Sequence, residues 1–152
     1  MNKLGWLFGA VLVAGLGVVV WQATQPAAQS AGRSTTPPDS SRIEEGAPIV
    51  EVSLPDSLSE DAQIGKRAFE AKCASCHGIN ATGQNGIAPP LVHKIYEPGH
   101  HSDMAFVLAA KNGVRSHHWS FGDMPPVAGL TDAHVKHIAR YVRELQRENG
   151  IE

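Results

Sequence analysis

A chain of 152 residues with 13 basic and 15 acidic side chains carries a formal charge of −2. That balance argues against a polybasic nucleic-acid binder, and a charged fraction of 18% argues against a disordered acidic tail. Two cysteines exclude a multi-disulfide scaffold, and 42% apolar with only 6% aromatic residues leaves a small domain with a thin protein-only core.

The run from Leu4 to Trp21 contains no charged or strongly polar side chain. As a helix it would span roughly 27 Å, close to the ~30 Å hydrocarbon core of a bilayer. Trp6 and Trp21 fall near its ends, where indoles prefer the headgroup level. Lys3 precedes the run and the next basic residue is Arg33, a bias that puts the N-terminus in the cytoplasm and the rest outside. The competing reading is a secretory signal cleaved near Ala28-Gln29-Ser30. Residues 1–21 are therefore expected to be a membrane anchor or signal segment, and both readings export the remainder of the chain. The location expected is the cytoplasmic membrane with the domain in the periplasm, or a soluble periplasmic protein if the segment is removed. Residues 22–56 begin rich in Gln, Ala, Ser, Thr and Pro and are expected to be a flexible, disordered tether. A leash of that kind has a typical span near ~30 Å.

Residues 57–152 are expected to fold as one all-α domain. A first helix runs from about Ser59 to Lys72, with Ser57-Leu58-Ser59-Glu60 as a capping box and Gly65 admitting another helix closely. A second spans Ser102 to Asn112 and stops at Gly113. Met104 lies inside it among apolar neighbours, where core packing is the default. The third starts at Thr131 and places Val135, Ile138, Ala139, Val142 and Leu145 on one face. Its opposite side carries Lys136, Arg140, Arg143 and Arg147, expected to be a solvated basic stripe. The Gly/Pro-rich loops 78–99 and 113–129 are long for so small a domain and need something besides polypeptide to pack against.

Cys73-Ala74-Ser75-Cys76-His77 ends the first helix. Two thiols three positions apart can each add to one vinyl group of a haem, and the adjacent histidine then reaches the iron. A zinc site would need a second pair of ligands, and a thioredoxin-like pair would come after a strand in a βαβ unit. Neither is present in the sequence pattern, and a plain disulfide leaves the histidine unexplained.

Gly65-x-x-x-Phe69-x-x-x-Cys73-x-x-Cys76-His77-Gly78 resembles the opening of the class I c-type cytochromes, and the resemblance extends over residues 57–149. It implies a class I cytochrome c-like helical domain around one covalent haem c, attached through Cys73 and Cys76. It implies His77 as one iron ligand and, from the late loop Gly122-Asp123-Met124-Pro125-Pro126, Met124 as the other. Pro89 in Pro89-Pro90-Leu91 matches the family's proline carbonyl that orients the ligand histidine, while Gly83 and Gly86 let the chain turn around the macrocycle. Tyr141 matches the final-helix aromatic that crosses the first helix. Arg115 and Trp119 flank the distal loop and donate N–H groups, which makes them candidate propionate partners. The pairs His100-His101 and His117-His118 are rivals of Met124 for the sixth position.

Iron closed on both sides offers no place for an organic substrate, so the expected function is one-electron transfer and not catalysis. The expected partners are membrane-bound redox proteins as donor and acceptor, with the bilayer itself held through residues 4–21 and no nucleic acid. The alternatives are a dedicated haem subunit of a dehydrogenase or oxidase, or a gas sensor from which Met124 departs.

Overall fold

The structure, a computed structural model, describes residues 36–152. The anchor expected at 1–21 and the first part of the tether lie outside the described residues. Among the described residues no helix is long and apolar enough to cross a membrane. The described residues form four α-helices in chain order, α1 (Glu60–Lys72), α2 (Ala74–His77), α3 (Asp103–Asn112) and α4 (Asp132–Glu148), with single 3-10 turns at Ile79–Ala81 and Lys94–Tyr96. Two isolated bridges, Gln84 with Ala88 and Val114 with Met124, are the β-type pairings among the described residues. The all-α expectation holds there.

The frame is the crossing of α1 and α4. Ala62, Gly65 and Phe69 form the buried face of α1, at helical spacing. At Gly65 a Cβ would stand 1.9 Å from the His137 carbonyl oxygen, so only glycine lets the two backbones meet this closely. Phe69 and Tyr141 close the crossing with ring centroids 5.7 Å apart. The Tyr141 hydroxyl donates to Asn80 Oδ1 at 3.1 Å. Ile138, Val142 and Leu145 complete this core, each worth about 1.5–3 kcal/mol of apolar burial.

The caps differ in detail from expectation. Ser59, not Ser57, caps α1: its Oγ accepts from Ala62 N–H at 3.2 Å while donating to Glu144 Oε1 at 2.6 Å. The partner on α4 selects the later serine. Thr131 caps α4 through a reciprocal box in which His134 takes the role usually given to Glu: Thr131 Oγ1 accepts from His134 N–H, and Thr131 N–H donates to His134 Nδ1.

Three expectations are corrected. The tether does not extend to residue 56. Gly46 N–H donates to Asn85 O at 2.8 Å, Asn85 N–H to Ala47 O at 2.9 Å, and the Asn85 side chain to Ile43 O at 2.7 Å. Ile49 is buried against Ile95 and Trp119, and Val52 packs on the main core. Apolar side chains at 43, 49, 50 and 52 hold this segment down although its composition is polar. Arg143 does not belong to a solvated stripe. It is 5% exposed and bonds Asp103 Oδ1 (2.8 Å), Tyr96 O (2.5 Å), Gln146 Oε1 (2.7 Å) and His101 O, with Phe106 beneath its guanidinium. Lys136, Arg140 and Arg147 are exposed, as expected. Met104 is 51% exposed and Leu108 50%, one turn apart on α3, so Met104 is not a core residue of the polypeptide.

Candidate functional site

Cys73 ends α1 with its N–H on Phe69 O at 2.7 Å, and α2 is the single turn that carries Cys76 and His77. The turn is locked from outside. The Gln84 side-chain amide lies within hydrogen-bonding distance of the carbonyls of Ser75 (2.9 Å), Cys76 (3.1 Å) and Ala74 (3.3 Å), covering acceptors that a helix end leaves open. Gly83 N–H donates to His77 O at 2.7 Å. Cys73 is half-buried and Cys76 exposed, and the two are not joined in a disulfide. Before haem attachment, burial, and secondarily the neighbouring Cys76, push the Cys73 thiol up to about 11.

His77 is 8% exposed, and its Nδ1 lies 2.9 Å from Pro89 O. A carbonyl only accepts, so Nδ1 carries the proton and Nε2 keeps its lone pair. Burial lowers the His77 pKa, opposed by the Pro89 bond, and the net effect favours the neutral ring that a metal requires.

Met124 is half-buried on a loop fixed by backbone: Met124 N–H donates to Val114 O and Val114 N–H to Met124 O, both at 2.9 Å. Gly113 makes this possible. Its φ is +74°, and a Cβ there would meet Met124 O at 2.5 Å. Farther out, Asp123 Oδ1 accepts from Ser116 N–H at 2.8 Å, and Val127 N–H returns to Ala110 O at 2.8 Å.

Arg115 is exposed, and no hydrogen bond or ion pair of its guanidinium occurs among the described residues. Trp119 is 8% exposed, stacked near Phe121 and edge-on to His93 at 5.6 Å. Its indole Nε1 is buried without a hydrogen bond of good geometry, and so is Nε2 of His93. Because His93 Nδ1 accepts from Ile95 N–H at 3.2 Å, the proton sits on Nε2. The buried His93 donor thus lacks an acceptor among the described residues, at about 1–3 kcal/mol if left so, and the Trp119 indole has the Tyr96 hydroxyl as a neighbour but no bond of good geometry to it. A haem carboxylate is an acceptor of the right chemistry, and the donors fit such a group. His93 escaped the sequence reading because no motif marks it. Gln84 escaped as well, being one polar residue among several in a loop.

The rival histidines gather with one another. His100 Nε2 lies 3.3 Å from His118 Nε2, and His117 and His118 have ring centroids 4.3 Å apart.

The family model for cytochrome c matches residues 62–146, the stretch that holds the thiols, His77, Pro89 and the Met124 loop. The chain belongs to the cytochrome c family. It is a class I c-type cytochrome, with one haem c covalently attached through Cys73 and Cys76. Cytochrome c-554(547) of Halothiobacillus neapolitanus is 32% identical over 91 residues, covering 57% of this chain and 98% of that protein. The cbb3-type cytochrome c oxidase subunit CcoP of Rubrivivax gelatinosus is 34% identical over 100 residues, and subunit FixP of Bradyrhizobium sp. (strain ORS 278) is 35% identical over 94. Those matches cover 62% and 60% of this cytochrome but only 30% of each oxidase subunit. No solved structure matches significantly.

Proposed function

We propose that this cytochrome carries single electrons between membrane-bound redox complexes on the outer side of the cytoplasmic membrane, with His77 and Met124 as the two iron ligands and residues 4–21 as its anchor. When bound, haem c supplies a one-electron iron couple, and two protein ligands leave that iron no open position for an organic substrate. The observation that carries the reading is the His77–Pro89 bond, which fixes the imidazole tautomer and aims Nε2 away from the carbonyl.

The remaining residues keep the site rigid. Gln84 holds the turn that carries Cys76 and His77, the Val114–Met124 bridge holds the thioether loop, and Pro125-Pro126 stiffens its exit. Little rearrangement is then required when charge passes. His93 and Trp119 offer N–H donors to a propionate, and the unpaired Arg115 guanidinium supplies a charge from the rim. Export agrees with covalent haem attachment, which is carried out beyond the cytoplasm. A second reading, a dedicated haem subunit of an oxidase, is favoured by the similarity to CcoP and FixP.

Spectra of the matured protein in both oxidation states test the ligands. A weak band at the red edge of the oxidised spectrum should vanish in Met124→Ala, and carbon monoxide should change the reduced wild-type spectrum little. Rapid carbon monoxide uptake by the wild type would overturn the closed site and favour a sensor. Detergent extraction separates the two roles: a carrier migrates alone, whereas an oxidase subunit co-purifies with its complex. The mass of the isolated protein against 16.2 kDa plus haem reports whether the anchor is retained.

A further inference from the structure

Four of the eight histidines meet at one place on the surface, from segments far apart in the chain. His100 and His101 come after the turn Lys94–Tyr96, where Glu97 O accepts from both of their N–H groups, at 3.1 and 2.8 Å. His117 and His118 come from the tip of the Met124 loop. One ring nitrogen from each of His100, His101 and His118 lies within 4.8 Å of the others.

We propose that His100, His101 and His118 form a second metal site, for a divalent first-row ion that favours imidazole, such as Zn2+. The His100 Nε2 to His118 Nε2 distance is 3.3 Å. Two nitrogens bound tetrahedrally to zinc at about 2.0–2.1 Å stand about 3.3–3.4 Å apart, so this pair is already at the edge length of such a site. The third nitrogen lies within 4.8 Å of both, and a side-chain adjustment brings it to the same edge length.

The rings are also oriented for the purpose. His101 Nδ1 donates to Ile95 O at 2.6 Å, which fixes its tautomer and leaves the lone pair on Nε2. His117 Nδ1 donates to Arg115 O at 2.9 Å in the same way, with its ring stacked 6.2 Å from that of His101, so it can supply a fourth nitrogen or orient the third. Carbonyl-backed imidazoles are the arrangement of metal-binding histidines in general. Burial first, then the crowding of neighbouring rings, holds His101 and His118 below the usual imidazole pKa, which keeps their lone pairs available. The Arg143 guanidinium bonds the His101 carbonyl, but its charge is met by Asp103 at 2.8 Å. His100 is exposed, giving the ion a path from solvent. A bound ion would clip the segment before α3 to the loop that carries Met124, using neither His77 nor Met124.

Zinc titration of the untagged, haem-loaded full chain by calorimetry is the test. One saturable site per protein is expected, with affinity falling at least 10–100-fold in His100→Gln/His118→Gln and unchanged in His137→Gln, which alters an imidazole on α4. Zinc-edge X-ray absorption of the wild type, independent of any variant's folding, should show three or four nitrogen neighbours at about 2.0 Å with imidazole outer-shell scattering. Wild type without saturable binding, a double variant that binds as tightly, or a zinc spectrum dominated by water and carboxylate oxygens would overturn the site. The haem spectrum stays the same in either case, so failure here is distinct from failure of the proposed carrier role.

Discussion

The segment that bears His77 and the loop that bears Met124 are built in opposite ways. The first is helical and locally bonded: His77 is tied to Pro89, twelve residues away, and Gln84 bonds backbone only eight to ten residues back. The second is an excursion of irregular backbone held at its base by a two-bond bridge and the Val127–Ala110 bond, and at its tip by Ser116, Asp123 and the Trp119 anchor. Local bonds re-form quickly after a fluctuation, whereas a loop pinned at a few points opens as a unit. The thioether side should therefore yield first under stress, with the imidazole side surviving until the whole domain unfolds.

The largest effect expected is the asymmetry of ligand removal. His77→Ala should abolish accumulation of matured low-spin protein in an export-competent host. Met124→Ala should keep its covalent haem and lose only the red-edge band. Haem content per protein and the oxidised spectrum measure both, and equal losses in the two variants would remove the asymmetry. Next in size is Gly113→Val, which puts a branched side chain at φ +74° with its Cβ 2.5 Å from Met124 O. A cost of about 2–3 kcal/mol is expected in denaturant unfolding. The red-edge band should disappear at lower denaturant than far-ultraviolet ellipticity, and coincident transitions would show that the loop does not open separately.

A smaller effect sharpens the contrast in how the haem edge is held. Trp119→Phe keeps the aromatic packing against Ile49 and Phe121 but deletes a buried N–H donor that makes no hydrogen bond of good geometry within the polypeptide, the Tyr96 hydroxyl being its polar neighbour. If a propionate accepts from it, the haem-loaded variant should lose about 0.5–1.5 kcal/mol and shift its reduction potential. If nothing accepts, deleting a buried orphan donor should be neutral or stabilising, and the sign of the change decides.

How much was legible in the sequence depends on the range of the interactions. The α4 face from Val135 to Leu145, the Thr131 cap, the Gly65 contact and the thiol–thiol–histidine spacing are local patterns, each readable within a turn or two. The docking of residues 43–52, the burial of Arg143 and the pairing of His93 with Trp119 depend on partners tens of residues away. Arg143 shows why periodicity failed. It falls on the polar side of α4, yet Asp103, Tyr96 and His101 converge there from another part of the chain and give a guanidinium all its bonds. The four-histidine cluster was visible as two pairs, but nothing in the sequence said that they would meet.

The smallest expected effect concerns pH and again separates the two regions, because the His101 cluster touches the Met124 loop and not the His77 segment. Burial is the main cause holding His101 below its ordinary pKa, opposed by the Ile95 carbonyl and reinforced by His100, His117 and Arg143; His118 and Tyr96 also face the ring. An unfolded histidine takes up its proton near about pH 6.5. The folded one resists, so below that pH the unfolded chain binds more protons and stability falls as pH drops through this window toward the lowered folded value. Above it the contribution is complete. Denaturant midpoints of the haem-loaded protein, measured in chelator at about pH 7.5 and about pH 5.5 on either side of that window, should therefore decline for the wild type. The decline should be shallower for His101→Gln, by at most one proton's worth of slope. The red-edge band should weaken over the same interval before any loss of helix. An unchanged pH slope in the variant would place the acid sensitivity elsewhere, and loss of helix ahead of the band would reverse the order of failure assigned to the two sides.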